Sequence, residues 1–246
     1  MDRMLYVAMS GAKETLIAQG NASNNLANAN TTGFLADLNQ FRSMPVFGSG
    51  HPTRVYAMDE RPATDFDHGS IQYTGRDLDV AVKDGGWVAV QARDGSEAYS
   101  RRGDLRVDDN GLLVTGNDLP VMGNGGPIAI PPFEKIDIGV DGTVSIRPLG
   151  AAANEIAVID RIKVVAPQFD QMEKGLDGLF RMKDGGEAEA DPAQRLVSGA
   201  LITSNVNVVN EMVDMIELSR RFELQVKMMK QAEDNAGAAA SIVRPV

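Results

Sequence analysis

Few side chains in this sequence are of types that do chemistry, and none stands at the spacing chemistry requires. The two histidines, His51 and His68, lie in a Pro- and Gly-rich stretch, with no carboxylate pair at ligand spacing. An imidazole so placed reads as a solvated loop side chain, not a metal ligand or proton carrier. Asp108-Asp109-Asn110-Gly111 invites a calcium reading. The alternating oxygen donors that close on a bidentate Glu do not follow it, and Asn-Gly is ordinary hairpin chemistry. Gly123-Asn124-Gly125-Gly126 lacks the Lys-Ser/Thr ending and following helix of a phosphate loop. Ser10-Gly11 and Ser198-Gly199 lack the frame of a nucleophile elbow. The expectation is no catalytic residue, no metal, no cofactor and no enzyme. Two rivals remain: a secreted β-fold hydrolase, suggested by the many Asp and Glu, and a self-contained coiled-coil adaptor.

The patterned residues are at the two ends. Val208, Met212, Met215, Ser219, Phe222, Val226 and Met229 follow alternating spacings of four and three, the seam of a coiled coil. Val209, Val213 and Ile216 widen that seam. Met212, Met215, Met228 and Met229 make the helix surface adaptable. Ser204, Asn205 and Asn207 are candidate N-caps, since a short polar side chain accepts from an unpaired first-turn amide. At the other end Leu5, Met9, Ala12, Leu16, Gln19, Ser23 and Leu26 repeat the spacing more weakly. Five Asn and a Gly between Gly20 and Asn30 lower its helix propensity further. Such a helix is marginal alone and needs partners.

Composition sets outer bounds. At 246 residues the chain suits one or two domains with a genuine core. A net charge of -10 argues against nucleic acid as a partner and against an anionic membrane surface. No apolar run has the length of a membrane span, so no membrane insertion is expected. The absence of Cys excludes disulfides and thiolate metal sites. The N-terminus, interrupted by Lys13 and Glu14, does not read as a cleavable signal.

Between the ends, residues 35–70 carry Pro45, Pro52, Pro62 and several Gly, and read as an extended arm with brief strands. From Ile71 to Thr203 short apolar runs alternate with Asp94-Gly95, Asn110-Gly111, Asp141-Gly142 and Asp184-Gly185, dipeptides that favour tight hairpin turns. The fold expected is mixed α and β: an antiparallel β-rich central domain, 71–203, with N- and C-terminal α-helices forming a coiled-coil-like layer. The N-terminal helix with its Asn-rich cap, 1–34, would pair with the C-terminal helix, 204–246.

Several strings carry a resemblance. NNLANANTTGF, Asn24 to Phe34, closes a helix that begins MDRMLYVAMSGA, and SNVN, Ser204 to Asn207, opens the last one. Both resemble signature segments of the bacterial flagellar axial family of rod, hook and hook-associated proteins. The likeness continues through ATDFDHGSIQYTGRDLDVAV at 63–82 and GWVAVQ at 86–91. Arg220–Met229 departs from the QRAYEAN-like helix of hook and distal-rod members. With RSMPVFG at 42–48 and PTRVYAM at 52–58, that departure resembles the proximal-rod branch, with a distal-rod or hook-family protein as the alternative.

The resemblance implies a structural subunit of the basal-body rod, a drive shaft that transmits motor torque. Its terminal helices would form an inner layer and its β domain an outer one. It implies export through the flagellar export apparatus without cleavage, and assembly in the periplasm. Copies of itself and the proximal- and distal-rod subunits would be its partners. Leu5, Met9, Leu16, Leu26, Asn24, Asn25, Asn28, Gly33, Phe34, Met212, Met215, Phe222, Val226 and Met229 would lie at subunit interfaces. The Asn side chains, each donor and acceptor, could pair with backbone groups of the same chain or of a neighbour.

Overall fold

The protein is described by a computed structural model covering residues 4–45, 55–83, 85–150 and 155–243. His51 and the ends of the two arm motifs, 46–48 and 52–54, lie outside the described residues. The chain divides into two compact units. One takes its residues from 1–29, 36–65 and 206–246, the other from 30–35 and 66–205.

The first unit pairs α1 (Met4–Ala27) with α2 (Val208–Val243). The two run antiparallel: Gly11 abuts Gln225, Ala18 and Ala22 pack on Leu218 and Met215, and Asn25 meets Glu211. Of the three candidate caps for α2, Asn207 is the one that acts, its Oδ1 accepting from the amides of Val209 and Asn210 at 3.1 and 3.2 Å. The helix runs to Val243 through the Ala-rich stretch Ala236–Ala240, where propensity favours helix. Residues of the expected arm form a long antiparallel hairpin, β1 (Asp37–Pro45) with β2 (Val55–Thr64), in register from Asp37↔Thr64 to Pro45↔Val55. It lies on α1 through Ser10 Oγ to the Ala57 carbonyl at 3.1 Å and Asn21 Nδ2 to Asn39 Oδ1 at 2.6 Å.

The strands of the second unit pair antiparallel, with one 3-10 turn at Phe169–Gln171. Its central sheet has the order β12 (Val164–Val165), β5 (Trp87–Gln91), β6 (Glu97–Ser100), β14 (Phe180–Met182) and β13 (Met172–Lys174). A second sheet joins β11 (Ala157–Arg161), β10 (Thr143–Pro148) and β9 (Phe133–Ile138). Four strands make two-stranded ribbons by long-range return: β3 (Ile71–Tyr73) with β16 (Ala200–Ile202), and β4 (Val80–Val82) with β15 (Leu196–Ser198). A local hairpin, β7 (Leu105–Val107) with β8 (Leu113–Thr115), completes the set.

The continuous apolar run of β5 has a simple cause, burial on both faces. Val88 and Val90 enter an aliphatic core with Leu105, Leu113, Ile138 and Ile146. Trp87 and Ala89 enter an aromatic one with Tyr99, Phe180, Met172 and Leu35. β15 and β16 are separated at Gly199 (φ +72°), whose carbonyl turns to accept from Thr74 and Gly75.

Candidate assembly surface of the terminal helices

The inward face of α1 is made of small residues. Ala8, Gly11, Ala12, Thr15, Ala18, Ala22 and Asn25 are buried, and a Cβ on Gly11 would stand 2.9 Å from Gln225 Nε2. Small side chains let the two backbones approach closely, and the gain is dispersion rather than a thick apolar layer. On α2 the facing positions are Glu211, Met215, Leu218, Phe222, Gln225, Met229 and Ala232, again at alternating four and three. This seam shares Met215, Phe222 and Met229 with the stripe read from sequence, but it is rotated. Met212, Ser219 and Val226 point outward in favour of Glu211, Leu218 and Gln225.

The residues expected at interfaces therefore separate into groups. Leu5, Met9 and Leu16 on α1, and Met212 and Val226 on α2, are exposed by 42–54%. Leu26, Met215, Phe222 and Met229 are half-buried within the unit. Asn25 is buried, Asn24 exposed, and Asn28 half-buried with its Nδ2 on the Asn24 carbonyl at 3.0 Å.

Gly33 and Phe34 belong to the β unit. There Gly33 N–H donates to the Ile202 carbonyl at 2.8 Å, and the Phe34 ring lies 4.5 Å from Lys174 Nζ. Thr32 adds a hydrogen bond to Asp104, itself gripped by Arg102 at 2.6 Å. The NNLANANTTGF string thus ends one unit and begins the other, as do the strings at Asp65–Phe66 and Asn205–Val206.

The outward faces are rich in large apolar groups. Tyr6 and Ile17 join Leu5, Met9 and Leu16 on α1, while Val209, Val213, Ile216 and Leu224 join Met212 and Val226 on α2. Sequence spacing does not single out Tyr6, Ile17 or Leu224. Their signal is weak because they lie off the strict 4-3 stripe, so only the burial pattern groups them.

Side chains that could do chemistry serve the fold. Asp94, Asp108, Asp141 and Asp191 cap turns, and hydrogen bonds within those turns hold each carboxyl below the usual range. A shallow cleft lined by Asn124, Asp141, Arg161, Asp191 and Gln194 holds two of them, both ionised and committed to their own loops. Among the described residues no three His, Cys, Asp or Glu side chains gather as a metal site. No described helix is long and apolar enough to cross a membrane.

His68 is exposed yet tied down: Arg101 Nη1 donates to its Nδ1 at 2.6 Å, so the ring proton sits on Nε2. Arg101, buried with its guanidinium 4.4 Å over the Trp87 ring, also donates to the carbonyls of Phe66 and Gly85. Burial pulls its pKa down to about 10, which leaves it charged at neutral pH. Nothing in the sequence singles Arg101 out, because its burial depends on strands distant along the chain.

Comparison with known proteins places these features. The family description "Flagella basal body rod protein" fits residues 5–34, "Flagellar hook protein FlgE/F/G D1 domain" fits 81–146, and "Flagellar basal body rod FlgEFG protein C-terminal" fits 197–242. The flagellar basal-body rod protein FlgF of Escherichia coli K12 is 43% identical over 99% of both chains. FlgF of Salmonella typhimurium is 41% identical over the same share. FlgG of Bacillus subtilis is similar at 30% identity over 95% of this chain and 96% of its own.

Proposed function

The chain belongs to the FlgF family of flagellar basal-body rod proteins and is a structural subunit of the flagellar rod, and from that premise we propose that it polymerises through the outward faces of α1 and α2. In this reading its place is the proximal rod in the periplasm, reached through the flagellar export apparatus. Its partners are copies of itself and neighbouring proximal- and distal-rod subunits. Its work is to transmit torque and to template the next subunit.

The observation that carries the reading is the set of large apolar side chains left toward solvent on both terminal helices. On α1 the residues packed inside the unit are small, and on the two helices together Leu5, Met9, Leu16, Met212, Ile216 and Val226 are left toward solvent. A contiguous apolar face of that kind marks a surface made to be covered.

The test separates the outer face from the inner seam. Phe222→Asp, the obvious choice from sequence, strikes the intramolecular seam and so disturbs the helix pair itself. Met212→Asp and Val226→Asp place the carboxylate outside it. Produced in a strain lacking its own copy, each variant should keep the parent's helical signal as purified protein yet yield no complete flagella. An unpaired carboxylate buried in a subunit contact costs several kcal/mol, on the order of 3. Normal motility from both variants would refute polymerisation through this face.

A further inference from the structure

The inner seam of α1 repeats itself. Ala8, Thr15 and Ala22 stand seven residues apart, as do Gly11 and Ala18, so a slide of one heptad, about 10 Å along the axis, replaces one small side chain by another. Close packing of small residues distinguishes such registers poorly. The series 11, 18 is broken at its next member by Asn25, which is 1% exposed.

Both N–H groups of that amide, and its oxygen, are engaged by two segments of chain. Oδ1 accepts from Asp37 N–H at 2.9 Å, while Nδ2 donates to the Asp37 carbonyl at 2.9 Å and to Glu211 Oε1 at 3.0 Å. The side chain thus occupies both backbone groups of the first hairpin residue as a neighbouring strand would, and holds the first turn of α2 as well. After a one-heptad slide Asn25 would face Leu218, or lie beyond the start of α2. Its amide and the Glu211 carboxylate would then be unpaired, a cost that apolar packing does not return.

We infer that Asn25 is a positioning residue that selects one register of α1 against α2 and locks the start of the hairpin to it. Burial raises the Glu211 carboxyl and the nearby Asp214 adds to the effect, against the lowering by the Asn25 hydrogen bond. The assignment concerns the fold of one chain and stands apart from the polymerisation reading.

The chain has no Cys, so register can be read by introduced pairs in the full-length protein. Ala22→Cys with Met215→Cys reports the register seen here. Ala22→Cys with Val208→Cys, and Ala22→Cys with Phe222→Cys, report slides of one heptad in either direction. On oxidation of the otherwise unchanged protein only the first pair should close. Adding Asn25→Leu, which keeps the branching and the number of side-chain heavy atoms but has no polar atoms, should lower its yield at least two-fold and let a slipped pair close.

Asn25→Asp, which sets a carboxylate against both Glu211 and the Asp37 carbonyl, should act likewise, and adding Glu211→Gln, which removes the first of these repulsions, should restore part of the first yield. Unchanged closure of the first pair alone in the Asn25→Leu protein would mean that the chain connections hold the register, and would overturn the assignment. Should Asn25→Leu not fold, the other comparison decides: failure of Glu211→Gln to rescue Asn25→Asp overturns it equally.

Discussion

Replacing Gly33 by Ala adds a single methyl group, and the structure states what that group meets. Gly33 has φ +67°, a region in which an L side chain costs roughly 1–2 kcal/mol. A Cβ there would lie 2.4 Å from the carbonyl carbon of Arg101, 2.5 Å from its oxygen and 2.7 Å from Arg102 N. All three are backbone atoms, and Arg101 is itself pinned over Trp87, so no flexible side chain can yield. The segment must back away, and the 2.8 Å bond from Gly33 N–H to the Ile202 carbonyl is the first to break, at about 1 kcal/mol more. Gly33→Ala should therefore destabilise the β unit by roughly 2–4 kcal/mol, and Gly33→Val by at least as much.

The assay is urea unfolding followed by the fluorescence of Trp87, the single Trp and fully buried in the aromatic core of that unit. Gly33→Asn divides the two causes. Asn tolerates positive φ but still carries the Cβ, so a loss nearly equal to that of Ala assigns the cost to the collision. A Gly33→Ala stability within about 0.5 kcal/mol of the parent would refute the close approach and the reasoning built on it.

Two further outcomes follow from charged groups in the β unit. Asp108 Oδ1 accepts from the Leu112 and Asn110 amides at 2.7 and 2.9 Å, and these bonds, the one to Leu112 foremost, lower its carboxyl below the ordinary 3.8. A carboxyl depressed in the folded state adds stability above its unfolded value and loses it as pH falls through the folded one. The deficit of Asp108→Ala relative to the parent should therefore be present at pH 7 and shrink below about pH 4, and a deficit that stays constant down to about pH 2.5 would contradict it. Lys163 Nζ meets the nearly buried Glu97 carboxylate at 2.8 Å, with Tyr99 donating to the other oxygen at 2.8 Å and pushed up in pKa chiefly by burial. Lys163→Met should cost about 3 kcal/mol in the same unfolding assay, with most recovered on adding Glu97→Gln. A single-variant loss under about 1 kcal/mol would show the pair to be solvated.

Periodicity and turn chemistry were legible without coordinates. The terminal helices are where apolar residues recur at three and four. Gly95, Gly111, Gly142 and Gly185 of the four turn dipeptides have φ between +72° and +87°. These are local matters, decided within a few residues by sterics and hydrogen bonding. The signature strings that point to the flagellar rod were equally local, being runs of consecutive residues.

Which face of each helix turns inward was not legible. A hydrophobic stripe counts large apolar residues whether they meet their own chain or a neighbour. The seam in fact uses Ala8, Gly11, Ala18 and Ala22, which contribute little to such a count but allow close approach. The pairing of residues 37–45 with 55–64 was hidden by prolines at or near the strand ends, and by a register that shifts between Leu38 and Gln40.

Arg101, and the partners of Asn25, lay furthest from view. Asn25 and Arg101 are both common polar residues in sequence, and each becomes structural because groups distant along the chain close over it: Asp37 and Glu211 over one, Phe66, His68 and Gly85 over the other. Periodicity is a property of neighbours in the chain. The burial and pairing of a polar group depend on neighbours in space, and those only the tertiary structure decides.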